Sequence, residues 1–403
     1  MTRNFFRVLF AVPAMAALFS LAACGGGGGS SGSSSSSPPQ NTQSIVVDGG
    51  PADIPNIAFT NVTICAPGSS TNCQTIDHVQ VDTGSSGVRI MSSVLSASVA
   101  LPQQTDASGN PVAVCAQFAD GFSWGSVRMA DVRIAGELAA SVPIQVIGDP
   151  AFGTIPASCS NAGPPENTVS DFGANGLLGV GLFLQDCGSA CAQAALPGAY
   201  YVCPMSGCQS AQAAVDKQLQ NPVALFGSDN NGVIVQLPAL PAAGAASVSG
   251  TIIFGIGTQS NNGLGSAKVL PTDPNVGTIV TTYNGQVYTN SYIDAGSSVI
   301  FFGTNAFPIC TGAAQGFYCP AGTQNVAATL QGGMQSSGVN FSVANADALF
   351  SANPSFNAFG DLAAPSFDGV TFDWGLSFFY GRNVFTAIEQ RSTPGGQGPY
   401  FAF

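Results

Sequence analysis

The sequence contains few charged residues and almost no histidine. Charged residues make up 7% of the 403 residues, and His78 is the single histidine. One imidazole cannot build a multi-histidine zinc site, so a hydrolase of that type is excluded. The charges that are present are mostly acidic, with a net charge of −12, and such a surface repels nucleic acid and anionic lipid headgroups. We therefore expect no nucleic-acid partner.

Long apolar helical periods are also missing. The chain is interrupted by 50 glycines and 26 prolines, and short β-branched and aromatic runs recur between them. This pattern predicts a mostly β protein. The clearest predicted strands span residues 44–47, 79–81, 127–134, 142–147, 233–237, 251–256, 278–283 and 286–293. The better helix candidates are two short stretches, residues 189–196 and 209–218.

The N-terminal segment has the parts of a signal peptide. Arg3 and Arg7 supply positive charge, residues 8–21 are apolar, and Leu-Ala-Ala-Cys ending at Cys24 is a small-residue cleavage site. This tetrapeptide resembles a bacterial lipobox, in which the cysteine carries the lipid. We expect residues 1–23 to be removed and Cys24 to anchor the chain in a membrane of the bacterial cell envelope. The alternatives are an ordinary secretory signal and a short membrane helix, although about 20 apolar residues are needed to cross a bilayer.

A low-complexity segment follows the predicted lipidation site. Residues 25–37 are glycine and serine, and Pro38 and Pro39 come next. This composition offers little apolar surface to bury, so residues 24–43 are predicted to be a tether for the folded body. Gly25, in place of an aspartate, is typical of lipoproteins that are sent to the outer membrane. The outer membrane is therefore the predicted location.

The cysteine count indicates disulfide bonds. Of 11 cysteines, Cys24 is assigned to the lipid, which leaves an even number in an exported chain. Several are close in sequence, namely Cys65 with Cys73, Cys203 with Cys208 and Cys310 with Cys319, but spacing leaves the connectivity open. Cys187 and Cys191 could form a redox or metal pair, yet no histidine is near them. Disulfides that close loops are the favoured interpretation.

One motif occurs twice in the chain. Residues 79–88 read Val-Gln-Val-Asp-Thr-Gly-Ser-Ser-Gly-Val, and residues 291–300 read Ser-Tyr-Ile-Asp-Ala-Gly-Ser-Ser-Val-Ile. Each copy is an apolar strand that runs into Asp-x-Gly-Ser-Ser, which predicts a tight loop at the end of a strand. If the loops meet, Asp82 and Asp294 form a carboxyl pair that cannot ionise twice. One carboxyl would then act as base and the other as acid toward a water molecule between them.

These paired loops resemble those of the pepsin-like aspartic proteases, in which each of two lobes supplies one Asp-Thr-Gly-Ser/Thr loop. The resemblance implies that Asp82 and Asp294 are the catalytic pair and that Ser85 and Ser297 bind their outer oxygens. It also implies that no metal or cofactor is needed. The residues that would support the pair are Thr83, Gly84, Ser85, Ala295, Gly296 and Ser297.

Further motifs follow the order of that family over nearly all of residues 44–403. They are a flap hairpin at residues 118–125 with Phe118, Gly121 and Trp124, an apolar-apolar-Gly segment at 175–181, an inter-lobe strand at 250–255, and a second apolar-Gly segment with a following helix at 374–386. The resemblance implies a bilobal double-psi β-barrel architecture with a cleft between the lobes. The implied divisions are an N-terminal lobe at 44–245, an inter-lobe strand at 246–260 and a C-terminal lobe at 261–403.

Several positions depart from the family pattern. Thr83 can reach the opposite loop with its hydroxyl, but Ala295 cannot, so one buried hydrogen bond of roughly 0.5 to 1.5 kcal/mol is expected to be missing. Phe118 stands where the family has a tyrosine, and Trp124 offers an indole N–H from the same hairpin. Asp373 stands where the family prefers an apolar residue, and Leu376 stands where an aspartate is common.

Four functions remain as hypotheses. The leading one is an envelope-anchored endopeptidase that cuts extended polypeptide, and the chief alternative is a catalytically inactive binding protein that holds a polypeptide or protein ligand in the cleft. A β-rich glycosidase would use two carboxyls about 5 to 9.5 Å apart. An adhesin-like protein would have both aspartates exposed and far apart. His78 could also serve a serine triad, although a plain strand residue is its simpler interpretation.

Overall fold

The computed structural model describes residues 40–403. These residues form a mostly β protein, with 42% of residues in strands and 9% in helices. The predicted signal peptide, Cys24 and residues 25–39 of the predicted tether lie outside the described residues. Within the described range, no helix has the length and apolar character needed to cross a membrane.

The strands are short, as the spacing of glycine and proline predicts. The first half of the chain contains β1 Thr42–Val47, β2 Ala58–Cys65, β3 Cys73–Asp82, β4 Ser86–Met91, β5 Val112–Gln117, β6 Phe122–Ile134, β7 Glu137–Ile147, β8 Gly176–Val180, β9 Tyr200–Val202, β10 Gln209–Ser210, β11 Gly232–Leu237 and β12 Val248–Phe254. The second half contains β13 Val269–Pro271, β14 Ile279–Tyr283, β15 Gln286–Ile293, β16 Ile300–Phe302, β17 Gln324–Gly332, β18 Gln335–Val343, β19 Ala363–Ala364, β20 Thr371–Trp374, β21 Arg382–Ala387, β22 Ser392–Thr393, β23 Gly396–Gln397 and β24 Tyr400–Ala402. Each of the eight predicted strands overlaps one of these.

The helices are single turns or little more. They are α1 Ala157–Ser160, α2 Val169–Phe172, α3 Ser189–Gln193 and α4 Ala346–Ala352, with 3-10 turns at Pro150–Phe152, Val215–Lys217, Pro222–Leu225 and Leu376–Phe378. The prediction of a helix within residues 189–196 is confirmed by α3.

Two helix predictions are wrong. Residues 209–218 begin with β10, because the Cys203–Cys208 disulfide closes a hairpin that pairs β10 with β9, and only Val215–Lys217 form a 3-10 turn. The helix expected within residues 374–386 is instead a 3-10 turn followed by β21. The β-branched and aromatic residues of β21 pair with β11 along its whole length, which fixes the segment as a strand.

A large sheet contains 15 strands in the order β10-β9-β5-β6-β7-β4-β8-β3-β2-β1-β12-β11-β21-β24-β13. An additional pairing of β2 with β6 closes six of these strands into a barrel. Strands β21 and β24 come from the end of the chain, and β13 comes from residues 269–271. They extend this sheet beyond β11, in the order β21, β24 and β13. The predicted inter-lobe strand is β12, which lies in the middle of the sheet between β1 and β11.

The second sheet has seven strands in the order β18-β17-β14-β15-β20-β16-β19. Its buried face is rich in aromatic side chains. Phe372 stacks on Phe302 with ring centroids 4.8 Å apart and on Trp374 at 4.6 Å. These rings bury a large apolar area, which holds β15, β16 and β20 together.

The same three-strand unit occurs once in each sheet. In the large sheet, β8 is parallel to β3 and antiparallel to β4. In the second sheet, β20 is parallel to β15 and antiparallel to β16. The loop that joins the two outer strands of each unit carries one Asp-x-Gly-Ser motif. The internal repeat seen in the sequence is therefore also a repeat of local structure.

Five disulfides are present in the described part of the chain. They join Cys65 to Cys73, Cys115 to Cys159, Cys187 to Cys191, Cys203 to Cys208 and Cys310 to Cys319. The Cys115–Cys159 bridge spans 44 residues and ties β5 to α1. Cys310 and Cys319 also lie near Asp347 with the spacing of metal ligands, but both sulfurs are already in a disulfide.

Candidate functional site

The two Asp-x-Gly-Ser loops meet where β3 and β15 end. Both glycines are required by this close approach. A Cβ atom on Gly84 would lie 2.7 Å from Cγ of Asp294, and one on Gly296 would lie 2.7 Å from Oδ1 of Asp82. A side chain at either position would therefore push the loops apart, and glycine is the residue that lets backbone and carboxyl approach.

The carboxyls of Asp82 and Asp294 are buried and in contact. Asp82 is 5% exposed and Asp294 is 9% exposed. A Cβ atom on Gly296 would lie 2.7 Å from Oδ1 of Asp82 and 3.1 Å from Oδ1 of Asp294, so the two carboxyls lie side by side, and the charge of Asp82 raises the pKa of Asp294. The expectation of the adhesin hypothesis, two exposed aspartates far apart, is wrong. A side-chain hydrogen bond between the two carboxyls, which is one cause of the raised pKa of Asp294, does not fit the separation of about 5 to 9.5 Å expected for a glycosidase.

The two carboxyls accept different numbers of hydrogen bonds from their own loops. Oδ1 of Asp82 accepts bonds from the backbone N–H of Gly84 at 2.7 Å and of Ser85 at 3.1 Å, and its Oδ2 accepts a bond from the Ser85 hydroxyl. Asp294 accepts bonds from the N–H of Gly296 at 2.7 Å and from the hydroxyl of Ser297 at 3.1 Å. Three donors suit a charged carboxylate at Asp82 better than two do at Asp294.

The pKa of Asp294 is raised well above its ordinary range. Burial is the largest cause, followed by the negative charges of Asp82 and Asp373, while the Gly296 N–H opposes the shift. A second negative charge beside Asp82 is therefore strongly disfavoured. Burial and the neighbouring negative charges therefore favour a single proton on the pair, and Asp294 is the member whose pKa is raised.

Two hydrogen bonds cross between the loops. The N–H of Ala295 donates to Oγ1 of Thr83 at 2.9 Å, as the sequence predicts, and Ala295 has no hydroxyl to return the bond. A second cross-loop bond comes from Gln80, whose Nε2 donates to the carbonyl oxygen of Gly296 at 2.7 Å. Sequence reasoning missed Gln80. The sequence did contain an indication of this role. Gln80 is a polar residue in an apolar strand, and because it is two positions before Asp82, both side chains lie on the same face of β3.

Tyr292 and Asp373 complete the surroundings of Asp294. Tyr292 is in β15, two residues before Asp294. In the parallel pairing of β15 with β20, Tyr292 is the residue opposite Asp373. Burial, then the charges of Asp373 and Asp294, raise the pKa of the Tyr292 hydroxyl. Sequence reasoning noted Asp373 as a departure but missed Tyr292, which the same alternation of side chains would have found.

The residues predicted for the flap hairpin make contacts with Phe172, Glu166 and Phe152. Phe118 lies at the tip between β5 and β6 and makes an edge contact with Phe172, with ring centroids 5.8 Å apart. The prediction that Trp124 offers a free indole N–H is wrong. Trp124 is 2% exposed, and its Nε1 donates to the carbonyl oxygen of Phe152 at 2.7 Å, because its place in β6 points it into the core.

The hairpin tip rests on the segment between α1 and α2. The N–H of Phe122 donates to the carbonyl of Pro164 at 3.1 Å, and the N–H of Glu166 donates to the carbonyl of Phe122 at 2.8 Å. A Cβ atom on Gly121 would lie 2.6 Å from Oε1 of Glu166. Gly121 therefore allows the Glu166 carboxyl to pack against the tip.

His78 lies between two aspartates and an aromatic ring. Its Nδ1 lies 3.0 Å from Oδ2 of Asp77, its Nε2 lies 3.6 Å from Oδ2 of Asp48, and its ring packs edge-on against Phe59. Within residues 40–403, no serine or cysteine side chain hydrogen-bonds to it. The hypothesis of a serine triad has no support in this geometry.

The fold and the site define a mostly β protein in which one Asp-x-Gly-Ser loop from each sheet contributes to a buried carboxyl pair. Residues 37–403 match the family model described as "Protein of unknown function (DUF3443)", and the chain belongs to this family. The search of curated proteins found no match.

Proposed function

We propose that the chain is an aspartic-type endopeptidase that hydrolyses extended polypeptide with a water molecule activated by Asp82 and Asp294. The observation that carries the proposal is the contact between these two buried carboxyls, each on its own Asp-x-Gly-Ser loop. Paired carboxyls that share one proton supply a base and an acid at the same place.

Asp82, which accepts three hydrogen bonds, acts as the base, and Asp294, whose pKa is raised, acts as the acid. Asp82 takes a proton from the water as its oxygen attacks the carbonyl carbon of the peptide, while Asp294 donates its proton to the carbonyl oxygen. Collapse of the tetrahedral intermediate breaks the C–N bond. Asp82 returns its proton to the leaving nitrogen, and Asp294 recovers a proton from the hydroxyl of the intermediate.

The proposal includes a bilobal pepsin-like architecture and a lipid anchor. The repeated three-strand unit, present once in each sheet, supports the first part, because that family places one aspartate loop in each lobe. The cleavage site that ends at Cys24 supports the second, and it leads us to propose an envelope-bound enzyme, attached to the outer membrane. The substrate would be polypeptide in that compartment.

A cleavage assay across pH 3 to 8 tests the enzyme proposal. The full chain is incubated with reduced, alkylated casein and with quenched peptide libraries, and is compared with Asp82→Asn and Asp294→Asn. We expect cleavage by the wild type and a loss of about 10³-fold or more in each variant, since either change removes a proton-transfer group. Asp361→Asn is the control, because Asp361 is a half-buried carboxyl whose raised pKa results from burial alone.

Absence of cleavage by a folded wild type at every pH would contradict the proposal. Thermal unfolding of all four proteins shows whether a lost activity reflects lost structure. Cleavage that persists in both aspartate variants would be equally contrary, because it would come from another group or a contaminant.

A catalytically inactive binding protein is the second candidate, and two observations favour it. Ala295 cannot return the cross-loop bond that Thr83 accepts, and the hairpin carries Phe118 in place of a tyrosine. On this hypothesis the same casein and peptides bind without being cut, and Asp82→Asn leaves their affinity unchanged. Fluorescence anisotropy with labelled casein measures that affinity.

A further inference from the structure

A third buried carboxyl lies beside the aspartate pair. Asp373 is in β20, where it stands between Tyr292 of β15 and Phe301 of β16. The next residue, Trp374, is fully buried in the core. Since successive side chains of a strand point to opposite faces, Asp373 lies on the other face, which it shares with Tyr292 and with Asp294.

The surroundings of Asp373 provide a hydroxyl but no positive charge. Asp373 is 4% exposed, and the Ser297 hydroxyl, which donates to Oδ2 of Asp294 at 3.1 Å, is the neighbouring group that lowers the pKa of Asp373. Its Oδ1 has no hydrogen-bond partner among residues 40–403. The titratable groups that face it are Asp82, Asp294 and Tyr292, and no lysine or arginine in that range acts on it.

A neutral Asp373 can complete a chain of hydrogen bonds. Burial, and then the charge of Asp82, raise its pKa to about 8, although the Ser297 hydroxyl opposes the shift, so the carboxyl is protonated at pH 7. Ser297 has a single hydrogen, which points to Asp294, and its oxygen can accept the proton of Asp373. The bonds then run from Asp373 through Ser297 to Asp294 and reinforce one another.

The matching position in the first unit is apolar. In the register of β3 and β8, Leu177 stands beside Gln80, as Asp373 stands beside Tyr292 in the second unit. A leucine is therefore compatible with this strand arrangement. The buried carboxyl of Asp373 is costly to maintain and is not required by the unit itself.

We propose that Asp373 is a positioning residue for the aspartate pair, which fixes the Ser297 hydroxyl on Asp294 and keeps the shared proton on the pair as pH rises. The proposal rests on the proposed peptidase function. When Asp373 is charged, its charge disfavours a second charge on the pair. The pair therefore keeps its single proton to a higher pH than it would without the Asp373 carboxyl, and it keeps its acid and base roles over the same range.

Carboxyl titration by NMR tests this inference without reference to activity. The full chain is labelled with ¹³C at the aspartate side-chain carboxyls, and the wild type is compared with Asp373→Asn and with Asp373→Leu, the residue of the matching position. We expect the alkaline titration of Asp294 to move to lower pH by about one unit in both variants. The control Asp361→Asn should leave it in place.

An Asp294 titration that is unchanged in both variants would overturn the proposal. The amide variant has nearly the size of the original side chain, so it keeps the test open should the leucine variant fold poorly.

The pH profile of kcat/KM on casein separates this inference from the proposed function. We expect its alkaline limb to shift in the same direction by about the same amount. If the NMR shift is found but no protein cleaves casein, the positioning role holds and the peptidase proposal fails. If casein is cleaved with an unchanged alkaline limb in both variants, the peptidase proposal holds and the inference about Asp373 fails.

Discussion

Nε2 of Gln80 donates a 2.7 Å hydrogen bond to the carbonyl oxygen of Gly296 and so ties strand β3 to the opposite aspartate loop. Gln80 is mostly buried, and the bond joins the same two loops as the bond from Ala295 to Thr83. It therefore supplies a second cross-loop link where Ala295 lacks a hydroxyl.

Removing the hydrogen bond from Gln80 to Gly296 should destabilise the folded chain. A hydroxyl introduced at position 295 should restore part of the lost stability. We expect Gln80→Met to lower the free energy of unfolding by about 1 to 3 kcal/mol, because the Gly296 carbonyl loses its buried donor. Ala295→Ser offers an acceptor to the N–H of Thr83 and should recover part of the loss. Guanidinium unfolding of the wild type, both single variants and the double variant measures the coupling. Strictly additive effects would show that the two links are independent.

The Glu166 carboxyl should make the hairpin less firmly held as pH rises. Burial, then the charge of Asp120 and a hydrogen bond to it, raise the pKa of Glu166 from 4.5 to about 8. Because the pKa is raised in the folded chain, the stabilisation is complete below about 4.5 and is lost as pH rises through about 8. Glu166→Gln should remove this part of the pH dependence, while Glu137→Gln should not.

Hydrogen exchange of the β5–β6 hairpin measured at pH 5 and pH 8 checks the effect of Glu166. Exchange rates are corrected for their intrinsic pH dependence. Equal protection of the hairpin at both pH values in the wild type would refute this prediction.

The Cys115–Cys159 disulfide should contribute more stability than the shorter bridges do. It closes a loop of 44 residues, whereas Cys203–Cys208 spans five. On the loop-entropy model the two bridges contribute about 4 and about 2 kcal/mol. Paired Cys→Ser substitutions at each bridge, followed by guanidinium unfolding, test this order. A larger loss from the Cys203–Cys208 variant would contradict it.

The lipid prediction depends on one thiol. Cys24→Ser should prevent lipid attachment, so that the chain leaves the membrane fraction of the producing bacterium and lacks the mass of a diacylglycerol. Cell fractionation and mass spectrometry of the intact chain measure both effects. Ser30→Ala, within the predicted tether, is a control that should change neither. A Cys24→Ser chain that stays in the membrane fraction would point to another mode of attachment.

The sequence predicted those features that depend on neighbouring residues. Alternating and β-branched runs located eight strands, and the duplicated Asp-x-Gly-Ser motif pointed to Asp82 and Asp294 before any geometry was known. The resemblance to the pepsin-like family also implied the cross-loop role of the Thr83 hydroxyl and the absence of a matching hydroxyl at Ala295. Each strand and each copy of the motif can be recognised within about ten residues, although the two copies are far apart in the chain.

The sequence was less informative where distant strands decide the outcome. Trp124 could belong to either face of the hairpin until the pairing of β5, β6 and β7 fixed its direction. The pairing of β21 with β11 likewise overrode the expected helix, and the partner of Cys115 could not be read from spacing. Asp373 looked like an isolated departure because its neighbour Tyr292 lies on a different strand.

Because the three-strand unit is repeated within one chain, its two copies can carry different residues around their aspartates. In a dimer of identical chains, a two-fold axis would place the same residue on both sides of the carboxyl pair. Covalent fusion breaks that constraint, so threonine faces alanine across the loops and leucine at position 177 corresponds to aspartate at 373. Each half can then place different residues around its own aspartate, which two identical chains could not do.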